Sequence, residues 1–208
     1  FFHIYIVVVT EGTNIGFFVK LQRNKLLSLS DLYICTTIFN TYVKIEYFYN
    51  KMKIRKGNIN DMPAVLELIK ELANFENEPN AVVVTVDDLK RDGFSENPLF
   101  HTFVAEVENT IVGIALYYYR YSTWKGKTIH LEDLIVNEKM RGTGCGSALY
   151  KEIIKQGKAD KVRRIEWNVL DWNKPAIDFY EKSGAKVLPD WLVAQMDEIG
   201  IDNFLSKQ

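Results

Sequence analysis

Cysteine, histidine and proline are scarce in this chain: two, three and five among 208 residues. The cysteines, Cys35 and Cys145, form no CxxC pair, and His3, His101 and His130 lack metal-ligand spacing. That argues against a disulfide framework or a structural zinc site, sets the expectation of no metal, and makes a reducing, cytoplasmic setting the default. Nor does one charge dominate. Twenty-six Lys and Arg against 27 Asp and Glu leave a formal net charge of −1, which gives no reason to expect nucleic acid. The apolar stretch FFHIYIVVV (1–9) is far shorter than the roughly 20 residues of a membrane helix, and it lacks the basic start and small-residue cleavage site of a secretory leader. No membrane partner is expected.

Residues 1–51 also lack methionine and proline and carry few charges, while Phe, Tyr, Ile, Thr and Asn abound. An orderly pattern starts at Met52, the first methionine. Two readings follow. Residues 1–51 are an extension that adds strands, or they are translated from sequence upstream of a start at Met52; the abrupt change at a methionine favours the second. As part of the protein, these β-prone runs are an aggregation liability.

From Met52 the elements can be read in order. MKIRKG is a short strand. Asn60 or Asp61 caps a helix with Pro63 in its first turn, where the missing N–H costs nothing. Val65, Leu66, Ile69, Leu72 and Phe75 give that helix one apolar face. TVDDLKRDGF (85–94) is a second helix, capped by Thr85 with Asp88 three residues on. FHTFVAEVENTIVGIALYYYRY (100–121) is a hairpin turning at Glu108-Asn109. KTIHLEDLIV (127–136) reads as a central strand, followed by a glycine loop and a helix from about Gly146 to Ala159. VRRIEWNVL (162–170) is a strand, and Asn173-Lys174-Pro175 opens a helix that stops at Gly184. The rest holds one or two edge strands and a terminal helix. The fold class is α/β: one domain with a mixed, mostly antiparallel sheet flanked by helices.

RGTGCGSALYKEII (141–154) places Gly142, Gly144 and Gly146 at alternate positions before an apolar helical pattern. A Walker loop needs a GK pair that is absent, and the dinucleotide fingerprint needs a third glycine elsewhere. The pattern Arg-x-x-Gly-x-Gly between strand and helix fits Arg141, Gly144 and Gly146. Successive backbone N–H groups there can converge on an anion, and the helix dipole adds to them. A turn that uses glycine only for tight packing is the plainer alternative.

LIKELANFE (68–76), DDLKRDGF (87–94), ALYYYRYSTWKGKTIHLEDLIV (115–136), RGTGCGSAL (141–149) and WNKPAIDFYEKSGA (172–185) resemble, in order and spacing, the GCN5-related N-acetyltransferase (GNAT) superfamily and its spermidine/spermine group. The resemblance spans Met52 to about Trp191 and makes residues 52–208 the acetyltransferase domain. It implies acetyl-CoA as acyl donor and a small primary amine as acceptor, attacked directly in a ternary complex, with a homodimer expected. It implies that the backbone of Leu134, Ile135 and Val136 pairs with the pantetheine arm. The main chain of Gly142, Thr143, Gly144, Cys145, Gly146 and Ser147 would hold the pyrophosphate, with Arg141 at the rim. Asn173, Lys174, Pro175 and Ala176 would meet the cofactor from the next helix.

By the same resemblance, Tyr180 is the general acid toward the leaving thiolate and Glu132 accepts the amine proton, through water. A phenol can serve because the proton moves as charge develops on sulfur; a core tyrosine beside Ile177 and Phe179 is the plainer reading. Asp133, Glu76 and Trp124 would contact the acceptor, and Trp191 is a further aromatic there. Strict alternation would send Glu132 and Asp133 to opposite faces of their strand. Ser122 stands where the group's polyamine enzymes carry an acid, and the segment after Gly184 is poorer in arginine. A lysine-like amino acid such as thialysine, a protein amine, or a non-catalytic acyl-CoA-binding module are the alternatives.

Overall fold

The computed structural model describes the backbone of residues 2–11 and 14–23 and all of residues 51–207. Cys35 and the rest of residues 24–50 lie outside the described residues. Strands β1 (Phe2–Glu11) and β2 (Asn14–Arg23) pair antiparallel in their own two-stranded sheet. The chain forms two compact units, Phe1–Trp167 and Asn168–Gln208.

In the first unit five strands lie in sequence order: β3 (Met52–Lys56), β4 (His101–Val107), β5 (Thr110–Ser122), β6 (Gly126–Val136) and β7 (Ile165–Glu166). All neighbours are antiparallel except β6 and β7. The β4–β5 hairpin turns through Glu108 and Asn109, both at positive φ (50° and 64°), as a two-residue turn of this hand requires. Helix α1 (Met62–Phe75) and helix α2 (Val86–Gly93) pack on one face, where Met62, Val65, Leu66, Leu68 and Leu89 close over Val104, Ile114 and Ile135. Each such side chain is worth about 1.5–3 kcal/mol of burial, so this face anchors the sheet. Helix α3 (Cys145–Ala159) covers the other face through Leu149 and Ile153, both fully buried. Gly113 lets it approach: a Cβ there would stand 3.1 Å from Leu149 Cδ1.

The entry to α1 differs from the sequence reading. Asp61 does stand at the N-cap position of α1, but without a side-chain bond to the helix; Asn58 caps the short 3-10 turn before it (Ile59–Asp61), its side chain accepting from the Asn60 N–H. Asp61 is engaged elsewhere. Its carboxylate accepts from the two terminal guanidinium nitrogens of Arg55, at 2.6 and 2.8 Å, and from the Asn58 N–H. Thr85 and Asp88 do form the expected capping box on α2.

The second unit holds α4 (Lys174–Lys182), capped by Asn173, and α5 (Glu198–Leu205). Gly184 follows α4 at φ 95°. Two strand expectations fail. The strand read over 162–170 shrinks to Ile165–Glu166, and among the described residues no strand follows it.

Candidate active site

Strand β6 carries a fault at the centre of its ladder with β5. Tyr117 pairs with Leu131 and Leu116 with Asp133, so Glu132 is an extra residue, a β-bulge. This corrects the sequence reading, in which alternation sends Glu132 and Asp133 to opposite faces. The bulge interrupts the alternation, and the two carboxylates stand close enough to repel each other. Glu132 is exposed and Asp133 partly buried. Dense protein around the Asp133 carboxyl pushes its pKa up to about 6, with further upward pushes from Glu132 and from Glu76. Glu76, the C-cap of α1, is itself raised by desolvation. Three acidic residues singled out from sequence thus converge, two from one strand and one from a helix end.

The edge of β6 is open beside them. Its parallel ladder with β7 consists of Ile129↔Ile165 and His130↔Glu166 and then ends. Among the described residues, 132–136 have no strand partner on that side. Leu134, Ile135 and Val136 therefore offer a strand edge to an extended ligand, the geometry of β-augmentation.

Asn137 and Glu138 lead from this edge into a 3-10 turn (Glu138–Met140) and then the glycine loop. Gly142 and Gly144 adopt positive φ, 76° and 86°, a region costly for other residues. The Thr143 hydroxyl donates to the Met140 carbonyl at 2.6 Å and pins the loop from within. Gly144 is the N-cap of α3, and no side chain caps that helix end. A Cβ at Gly142 would meet nothing within 4 Å. The main chain from Gly142 to Ser147 can therefore face a ligand directly, with the α3 dipole behind it. Arg141 is exposed at the rim, its guanidinium 5.2 Å from the Phe75 ring centroid. Cys145 points inward; burial pushes its thiol up to about 11, so it is packing and not a nucleophile.

Two features were hidden from the sequence. The Glu71 carboxylate of α1 accepts from the Asn137 side-chain amide at 3.0 Å and from the Glu138 N–H at 2.9 Å, holding the turn before the loop. Tyr118 and His130 stack at 5.1 Å beside Glu132. The Tyr118 phenol is raised, by desolvation first and then by the Glu132 carboxylate. The sequence held no signal for Glu71, one of several charged residues on its helix, and for His130 only a polar residue inside a largely apolar strand.

The other predicted residues stand as follows. Trp124 is exposed in the β5–β6 turn, where the Ser122 hydroxyl accepts from the Trp124 and Lys125 N–H groups at 3.2 Å. Gly126 and Glu132 are six residue steps apart along β6, about 20 Å of strand, so Trp124 is not brought to the three carboxylates. In the second unit, the Asn173 side chain accepts from the Ala176 N–H and Lys174 and Pro175 begin α4. Tyr180 is buried on α4 with its ring edge-on to Phe179, at 5.3 Å, and Trp191 is exposed.

Among the described residues, no cluster of His, Cys, Asp and Glu is arranged to hold a metal, and no helix is long and apolar enough to cross a membrane. A strand edge leading into a glycine-rich helix start suits a ligand with an extended arm and a phosphate group, as acetyl-CoA has.

Comparison with known proteins agrees. Residues 66–185 match the acetyltransferase (GNAT) family. Thialysine N-epsilon-acetyltransferase of Bos taurus is 38% identical over 145 residues, 66% of this chain and 85% of that protein. Spermidine/spermine N(1)-acetyltransferase-like protein 1 of Homo sapiens is 36% identical over 148 residues, 68% of this chain and 21% of that protein. An aminoglycoside N-acetyltransferase solved in complex with CoA superposes with a TM-score of 0.56 at 17% identity, over 69% of this chain and 93% of its own, and shares the fold. This chain therefore belongs to the acetyltransferase (GNAT) family, and its activity is acetyl-CoA-dependent N-acetylation of an amine.

Proposed function

We propose that the enzyme acetylates a primary amine of a small polyamine or diamine-like cation, by direct attack in a ternary complex with acetyl-CoA. The convergence of Glu76, Glu132 and Asp133 carries the acceptor class. Three carboxylates held together, one of them strained toward protonation, are relieved by a ligand with more than one positive charge. In this reading Asp133 and Glu76 hold the cation and Glu132 takes a proton from the attacking ammonium, through a water molecule. The freed amine attacks the acetyl carbonyl, and Tyr180 donates a proton to the departing thiolate. The open edge at Leu134–Val136, the main chain of Gly142–Ser147 with Arg141, and Asn173–Ala176 hold the acetyl donor. That Cys145 stays a protonated, buried thiol supports direct attack over an acyl-cysteine.

A lysine-like acceptor such as thialysine is the second reading. It is favoured by the name of the bovine relative and by Ser122 standing where polyamine enzymes carry an acid. We place the enzyme in the cytoplasm as a homodimer, on its low cysteine usage and its group resemblance. We further assign the acetyltransferase domain to residues 52–208, with residues 1–51 an extension that catalysis does not need.

The test is thiol release from acetyl-CoA by the full chain, and by a chain beginning at Met52, across spermidine, spermine, putrescine, lysine and thialysine. Turnover that favours the di- and polyamines supports the first reading, and a preference for thialysine supports the second. Tyr180→Phe is expected to cut kcat by about a hundredfold while the KM for acetyl-CoA stays within about twofold of wild type. Undiminished turnover removes Tyr180 from its role.

A further inference from the structure

His130 is not accounted for by the reading above. Its side chain is more than nine-tenths buried, and among the described residues its Nδ1 has no hydrogen-bond partner. Its Nε2 stands 3.5 Å from Glu132 Oε2, the exposed carboxylate at the bulge. A buried imidazole with an orphaned nitrogen is a cost to the fold, so stability alone gives it no reason to be there.

The charged and titratable groups around it come from three strands. Tyr118 and Arg120 are on β5, Glu132 and Asp133 on β6, and Glu166 on β7 with Arg164 just before it. Glu166 is the register partner of His130 and forms ion pairs with Arg120 at 3.1 Å and Arg164 at 2.9 Å, although its buried Oε1 makes no hydrogen bond among the described residues. Glu132 is the carboxylate within reach of the imidazole Nε2. A bare Nδ1 lone pair is cheaper to bury than an unpaired N–H, which places the hydrogen of the neutral ring on Nε2, facing Glu132. Tyr118 lies against the imidazole with its ring tilted by 31°, and its phenol also reaches the Glu132 carboxylate.

We propose that His130 is a positioning residue for the transfer: its Nε2–H, braced by Tyr118, aims the Glu132 carboxylate at the acceptor amine. This rests on Glu132 being the proton acceptor. It explains how a carboxylate on an exposed bulge, where several rotamers are open to it, is kept in one of them. A rotamer-rich side chain held this way loses less entropy when the reaction begins. The proton path is unchanged by it. An N–H bond of the ammonium breaks, an O–H bond forms on Glu132 by way of water, and His130 keeps its own proton throughout.

The two amide side chains separate this role from packing, because Gln presents its N–H near the place of Nε2 whereas Asn presents it near Nδ1. With the full chain, His130→Gln is expected to keep at least about half of kcat. His130→Asn is expected to lose about tenfold, with the KM for acetyl-CoA unmoved in both. In a Glu132→Gln background His130→Asn should have no further effect. Equal losses for Gln and Asn, or an undiminished tenfold loss on top of Glu132→Gln, overturn the proposal.

A measurement that needs no turnover decides the contact by itself: the NMR resonance of the His130 Nε2–H in wild type and in Glu132→Ala. The resonance should be protected from exchange with water in wild type and shifted or lost in Glu132→Ala, and an unchanged resonance overturns the pairing. Should no amine in the panel be acetylated, the proposed acceptor class fails, while this resonance still reports on the pair.

Discussion

The Glu71 carboxylate accepts the side-chain amide of Asn137 at 3.0 Å, and that bond ties helix α1 to the residue where β6 gives way to the glycine loop. Its second oxygen takes the Glu138 N–H. One side chain from the sheet-covering helix thus sets where the loop begins, although it does not line the loop. Glu71→Ala leaves the Glu138 N–H and the Asn137 amide to water, and the turn gains freedom. The expected result is a rise of about three- to tenfold in the KM for acetyl-CoA with kcat within about twofold. Glu71→Gln, which keeps one acceptor oxygen, should fall between. Steady-state kinetics with the amine saturating checks both, and a change confined to the amine KM would contradict the role.

Gly144 is the sharper test of the loop. It holds φ 86° at the head of α3, where a β-branched residue adds about 1–3 kcal/mol of strain and a side chain against the approach of the ligand. Gly144→Val is expected to abolish measurable acetyl-CoA binding by calorimetry and to lower Tm by several degrees. Gly184→Val carries comparable backbone strain at φ 95° in the second unit and serves as a control for stability loss without the loop. Tight binding retained in Gly144→Val would remove the loop from the pyrophosphate role.

Cys145 lies in the middle of the same loop sequence but faces the core. With its thiol pushed up to about 11 it is almost wholly protonated at neutral pH, and thiolate is the reactive form. Alkylating reagents should leave the native enzyme active over the time in which an exposed thiol is consumed. Cys145→Ala should keep kcat within about threefold while losing some stability to the small cavity. Mass spectrometry after a pulse of acetyl-CoA without amine should find no acetylated Cys145.

How far these features could be read from sequence depended on how local their causes are. The Thr85–Asp88 capping box, the Glu108-Asn109 turn and the Asn173 cap involve residues within four positions of one another, and all were legible. The acidic character of this stretch of β6 was legible too, as a carboxylate pair inside an apolar strand. Its geometry was not. A bulge is a property of two strands, fixed by Leu116 and Tyr117 pairing across to Asp133 and Leu131, and no pattern within HLEDLIV announces it. The same holds for β7: VRRIEWNVL has strand composition throughout, but only Ile165 and Glu166 find a partner on β6. Asp61 shows the reverse error. It has the right type and place for a cap, yet Arg55, six residues earlier on β3, takes its carboxylate first. Glu71 acts across 66 residues of chain, so its role waited for the fold, whereas His130 and Glu132 are two positions apart and only the burial of the imidazole was hidden.

Asp133 gives the proposed acceptor site a pH signature of its own. In the folded chain it titrates at about 6, raised by desolvation and by Glu132 and Glu76, whereas an unfolded aspartate titrates near 3.9. Between those values the folded chain holds the extra proton, so stability falls as pH rises through that window. Asp133→Asn should therefore match wild type in Tm near pH 4 and exceed it at pH 7. Binding runs the other way. A cationic amine needs the carboxylate ionised, and a group of pKa about 6 is roughly one-tenth ionised at pH 5 and nine-tenths at pH 7. The affinity for a diamine should rise about tenfold across that range, with proton release detectable by calorimetry in buffers of different ionisation enthalpy. Asp133→Asn should flatten the rise and bind more weakly at pH 7. A slope that survives the substitution would assign it to Glu76 or Glu132 instead, the two carboxylates that press on Asp133.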